Sequence, residues 1–162
     1  MLAYLFWHRP LAGIEPEPYE DSLRAFHASL GVESASFRLR ELPFGSGESG
    51  YEDWYLVDGW AELGKLNGSA VDPLRLGDHD RAASMSADGW GAVYSLLRGP
   101  ASIPDQVSWL DKPRGEASEE FLASLPRSAV WRRQMVLGPG PELCLASHDR
   151  PDSARRRIWP IP

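Results

Sequence analysis

Residues 2–8, Leu-Ala-Tyr-Leu-Phe-Trp-His, form a nearly unbroken apolar and aromatic run that Pro10 closes. The run is too short for a typical helix and is bounded by a breaker, so it reads as a strand buried on both faces. Such a strand commits the chain to a sheet-based fold. The next periodic segment has a different spacing. Tyr19, Leu23, Phe26 and Leu30 recur at helical intervals, with Glu20 and Asp21 near the start and Gly31 just past the end. Acidic residues at the start and glycine beyond the end are the ends an amphipathic helix favours.

Ala35, Phe37 and Leu39 alternate with Ser36, Arg38 and Arg40, the period of a half-buried strand. The glycine- and serine-rich stretch 43–50 reads as an exposed connection. Residues 51–57 then form a second aromatic strand, and Gly59 breaks it. Trp60, Leu63 and Leu66 are helically spaced, a further helical piece runs over 78–85, and 90–97 is again strand-like. The order strand, helix, strand, strand, helix, strand over residues 1–100 is that of the ferredoxin-like split βαβ sheet. The expected fold class is therefore α+β, in one domain spanning 1–162. Residues 101–162 extend the core with a proline-punctuated connection at 100–115, a short helix at 119–125 and a β-hairpin. The hairpin pairs 129–137 with 142–148 around Gly138-Pro139-Gly140-Pro141.

Composition narrows the function classes. A chain of 162 residues buries roughly two-thirds of its unfolded surface and needs no metal or disulfide to hold a core. A net charge of −6 argues against nucleic acid, and Arg155-Arg156-Arg157 reads as a solvated tail or strand edge. One cysteine, Cys144, and no apolar run of membrane-spanning length lead to the expectation of a cytoplasmic protein without a signal peptide. No Cys-x-x-Cys, His-x-x-x-His or Glu-x-x-His spacing occurs, so no metal or other cofactor is expected. Asp78-His79-Asp80 reads as a helix start with Asp78 as N-cap, since adjacent helical residues do not face one another. Nucleophile elbows and phosphate-binding glycine loops are lacking too.

The aromatic strand Tyr4-Leu-Phe-Trp-His8, the helix bearing Phe26 and Leu30, the strand Tyr51-Glu-Asp-Trp-Tyr55 and the strand Gly91-Ala-Val-Tyr94 together resemble the dimeric α+β barrel superfamily. Its members include antibiotic-biosynthesis monooxygenases, stress-responsive barrel proteins and ethyl tert-butyl ether degradation proteins. The resemblance covers residues 1–100 and implies a homodimer whose sheets close on each other around a pocket. The long second half departs from that pattern.

His8 shares a strand face with Tyr4 and Phe6, where a neutral imidazole can act as a general base or stay hydrogen-bonded at the sheet rim. Arg38 can fork onto an anionic oxygen, or pair with Glu52 or Glu41. Tyr4, Trp54 and Tyr94 are expected to wall an aromatic pocket or simply to form core. The leading expectation is a small-molecule-binding barrel protein, a cofactor-free oxygenase or isomerase on an aromatic or polyketide-like compound. In it His8 accepts a proton, and Tyr4, Arg38, Trp54 and Tyr94 hold a small aromatic or anionic ligand. The alternatives are a non-enzymatic structural or stress-associated dimer and, from the resemblance, a haem protein with one histidine on the iron.

Overall fold

The structure is a computed structural model that describes residues 1–44, 47–73, 76–126, 128–137, 140–147 and 155–159. The strands are β1 (Leu2–Pro10), β2 (Ser34–Leu39), β3 (Gly50–Val57), β4 (Ser86–Arg98), β5 (Gln106–Leu110), β6 (Val130–Leu137), β7 (Leu143–Ser147) and β8 (Arg155–Trp159). The helices are α1 (Pro16–Leu30), α2 (Trp60–Ala70), α3 (Leu76–Ser84) and α4 (Ser118–Ser124). All eight strands join one sheet in the order β5-β7-β6-β4-β1-β3-β2-β8, and every neighbouring pair is antiparallel.

The sheet curls. Strands β5 and β1 are separated by β7, β6 and β4, four spacings or about 19 Å if the sheet were flat. Yet the rings of Trp109 on β5 and Trp7 on β1 lie 5.5 Å apart. The concave face holds Ala3, Leu5 and Trp7 of β1, Ala35 and Phe37 of β2, Trp54 and Leu56 of β3, Ala92 and Tyr94 of β4, Trp131 of β6 and Cys144 of β7. The opposite face of the first half is covered by helices, where α1 and α2 bury Leu2, Tyr55, Val57 and Val93. Over the second half α4 does the same, with Phe121, Leu122 and Leu125 against Val130, Leu143 and Leu145.

Several expectations change. The connection at 100–115 contains β5, which supplies Trp109 to the concave core. Of the two readings of the basic run at 155–157, the strand edge holds: it lies in β8, an edge strand paired with β2. Helix α1 begins at Pro16, earlier than the apolar spacing suggests, because proline in the first turn gives up only an N–H that the helix does not use. It ends as expected on Gly31, whose φ of 70° suits glycine. Asp78 is not an N-cap: α3 starts at Leu76, so the carboxylate sits in the first turn. The hairpin of β6 and β7 forms as expected, and its Gly138-Pro139 corner and His148 lie outside the described residues.

A homodimer of the kind the resemblance implies would close over the sheet face that carries the large aromatics. The chain's own second half covers them: Trp7, Trp54, Tyr94 and Trp131 are fully buried without a second copy. Among the described residues no helix is long and apolar enough to cross a membrane.

Candidate functional site

Strand β3 is buried along its whole length, and its neighbours Glu52 and Asp53 point to opposite faces because side chains alternate. Glu52 enters the concave aromatic core, 0% exposed. Its two carboxylate oxygens accept the indole N–H of Trp7 at 2.8 Å and of Trp54 at 2.6 Å. Trp109 packs on Trp7, Trp54 and Tyr94, and the Tyr94 hydroxyl donates to the carbonyl of Pro141 at 2.6 Å.

Asp53, 2% exposed, faces α1. Its Oδ2 lies 3.1 Å from Nε2 of His8 and 3.4 Å from Nε2 of His27, and it accepts the Tyr55 hydroxyl at 3.1 Å. Burial alone would raise this carboxyl. The adjacent imidazoles of His8 and His27 outweigh it and hold Asp53 well below the usual carboxylate range. Burial and the Asp53 charge act together on Tyr55, whose phenol is pushed well above its ordinary value.

From His8 a chain of hydrogen bonds runs outward. His8 Nδ1 meets the Tyr19 hydroxyl at 2.6 Å, that hydroxyl meets Ser86 Oγ at 2.8 Å, and Ser86 Oγ reaches the carbonyl of Ala82 at 3.0 Å. His8 is 1% exposed, whereas Ser86 is half-buried, so the chain links the interior to the rim of β4. Burial raises the Tyr19 phenol, which keeps its proton at neutral pH. Counting donors leaves two proton arrangements. In one, Ser86 donates to Ala82, Tyr19 to Ser86, and His8 Nδ1 to Tyr19, with His8 an imidazolium whose charge lies beside Asp53. In the other, Ser86 donates to Tyr19, Tyr19 donates to a neutral His8, and the bond to Ala82 is given up. The two differ by one proton and by two hydroxyl hydrogens that change direction, which is the property a relay needs.

The five expected site residues divide between the faces. Tyr4, His8 and Arg38 lie on the helix-covered face, whereas Trp54 and Tyr94 lie on the concave one, so one cavity does not hold all five. The reason is register: Trp54 stands opposite Leu5, not opposite Tyr4 or Phe6. Arg38 pairs with neither Glu52 nor Glu41 but with Glu20 of α1, which also accepts the Tyr51 hydroxyl at 3.2 Å and lies 3.7 Å from Arg24. His8 is not at the rim, and both its ring nitrogens face protein groups, which leaves neither turned toward a haem iron. Among the described residues no group of three His, Cys, Asp or Glu side chains is arranged to hold a metal.

Asp53, His27 and Tyr19 were not singled out by the sequence reading, although part of the signal was present. Tyr19, Leu23, His27 and Leu30 fall on one helical stripe, which puts His27 on the buried side of α1. Beside the relay, Phe6 and Tyr4 are half-buried and lie over Gly89 and Gly91 of β4. A Cβ on Gly91 would come within 2.7 Å of the Tyr4 hydroxyl, and one on Gly89 would collide with the Phe6 ring. These glycines let two flat rings rest on the strand. Searches among protein-family models, curated proteins and solved structures find nothing that matches this chain.

Proposed function

We propose that this chain binds a small aromatic molecule at the outer end of the Ser86–Tyr19–His8–Asp53 chain and catalyses a proton transfer on it. An isomerase taking a proton from one carbon and returning it to another needs no cofactor, and it fits a relay that stores one proton. The observation that supports this reading is the series of hydrogen bonds from buried His8 through Tyr19 to half-buried Ser86, with the Asp53 carboxylate 3.1 Å from the other ring nitrogen of His8. Ser86 and Tyr19 stand nearest the substrate. His8 takes the proton through Tyr19, and Asp53 stabilises the imidazolium so formed. The half-buried rings of Phe6 and Tyr4 offer the flat apolar wall such ligands need. We read β4-β1-β3-β2, with α1 and α2, as the ferredoxin-like split βαβ unit that carries this site.

The test is deuterium exchange. A panel of aromatic ketones and aromatic acids with acidic C–H bonds is incubated with the protein in D2O, and label uptake is followed by NMR. The expected result is protein-dependent exchange in at least one compound, slowed about 100-fold or more in Tyr19→Phe. Exchange that Tyr19→Phe leaves unchanged, or none across the panel, contradicts the proposal.

A second reading has its own support: His8, Asp53 and His27 are all buried, as they would be in a polar network that only fixes α1 onto the sheet. In that case His8→Ala destabilises the fold by about 1–3 kcal/mol, because it strands Asp53 and Tyr19, and no ligand is found for the parent protein.

A further inference from the structure

Asp53 is used unevenly. Its Oδ2 faces three groups, while its Oδ1, equally shielded from solvent, has no hydrogen-bond partner. The same is true of two hydroxyls on the neighbouring strand, Ser34 Oγ and Ser36 Oγ. Ser36 stands directly opposite Asp53 in the β2–β3 register and Ser34 directly opposite Tyr55, so the three residues form a triangle of neighbouring positions on the helix-covered face. Asp53, Ser34 and Ser36 are each at least nine-tenths buried. A buried polar atom left unpaired costs free energy, and three on neighbouring positions of adjacent strands can share one partner.

We propose that this triangle is a binding site for one ordered internal water molecule, held by Asp53 Oδ1, Ser34 Oγ and Ser36 Oγ. Three polar contacts are the usual number for a buried water. The chemistry of the donors selects it. A carboxylate oxygen only accepts, so its partner must donate, and each serine hydroxyl can donate or accept. Water meets all three demands. A metal cation is the poorer match, because the imidazoles of His8 and His27 already face the Asp53 charge. The bound water gives Asp53 a hydrogen bond on its second oxygen and ties β2 to β3 through side chains as well as backbone. This site stands apart from the proton-transfer reading and does not depend on it.

The test turns on the sign of an effect. If the triangle is dry, Ser36→Ala removes a hydroxyl that has no partner, and the protein gains stability. If the triangle holds water, the same change removes one of the water's contacts, and Tm falls by roughly 2–6 °C. Water-selective NOE spectra are recorded beside the melts, with oxygen-17 relaxation dispersion to detect long-lived water. The expected result is a lowered Tm together with cross-peaks from water to the β protons of Ser34 and Ser36 in the parent protein, lost in Ser36→Ala. An unchanged or raised Tm, or no long-lived water at these protons, overturns the proposal. So does a Tm that responds to sodium over choline at equal ionic strength, which would place a cation there instead.

Discussion

Glu52 and Asp53 are adjacent acidic residues on one doubly buried strand, and they live in different chemical surroundings. On the concave side Glu52 accepts indole N–H groups, donors that stay neutral and do not titrate at ordinary pH. On the helix side Asp53 meets two imidazoles, side chains that can carry a charge, and a phenol that burial and the Asp53 charge keep protonated. One side of the sheet is an aromatic core with an acid fixed inside it. The other carries a titratable network that reaches the rim through Tyr19 and Ser86. Burial alone therefore does not mark a site: both carboxylates are buried, and the nature of their donors separates them.

The largest expected effect comes from breaking the titratable side. Asp53→Asn leaves His8 and His27 without their counter-charge and should cost about 3–5 kcal/mol in urea unfolding. Glu52→Gln keeps one acceptor and turns an amide N–H toward an indole, so it should cost less, about 1–3 kcal/mol. Equal losses would erase the distinction between the faces.

Next in size is a packing change beside the relay. In Gly89→Ala the new Cβ collides with the Phe6 ring, which must move off β4, and about 1–3 kcal/mol should be lost. Gly64→Ala is the control. It sits in α2 with open space at the Cβ position and should gain up to about 1 kcal/mol. Thermal melts of the two variants moving in the same direction would contradict the packing described for Phe6. The smallest effect belongs to His79, which is half-buried, pairs among the described residues with Asp80 at 3.1 Å and lies edge-on to the Phe26 ring of α1. His79→Ala should change stability by about 0.5 kcal/mol or less in the same melts.

Much of the fold was legible because its elements carry local signals. The aromatic run that becomes β1, the alternation at Ala35, Phe37 and Leu39, and Gly31 after α1 each report a local conformational preference. Strand β5 escaped notice because it has five residues, set between Pro104 and Pro113, and gains its place only by pairing with β7 from 30 or more positions away. The site was legible in part. Alternation along β1 puts Tyr4, Phe6 and His8 in a row, and their rings do follow one another at 6.4 and 5.6 Å. Which residues of β3 share that face depends on register. A strand buried on both sides shows no alternation from which register can be read. For that reason the sequence groups Trp54 with His8 and leaves Asp53 unmarked.

The direct measurement of the central claim is the ionisation of Asp53 itself. Because the two imidazoles hold this carboxyl below its ordinary value of about 3.9, its stabilising contribution is complete above about pH 5. That contribution drains away only as the pH falls toward the depressed value. With carbon-13 in the aspartate carboxyl groups, the Asp53 signal, assigned by its loss in Asp53→Asn, can be followed from pH 7 downward for as long as the protein stays folded. The account predicts no titration step for Asp53 between pH 5 and about 3.5, the range in which an unperturbed aspartate begins to protonate. A step for Asp53 at or above the ordinary carboxylate value would contradict it.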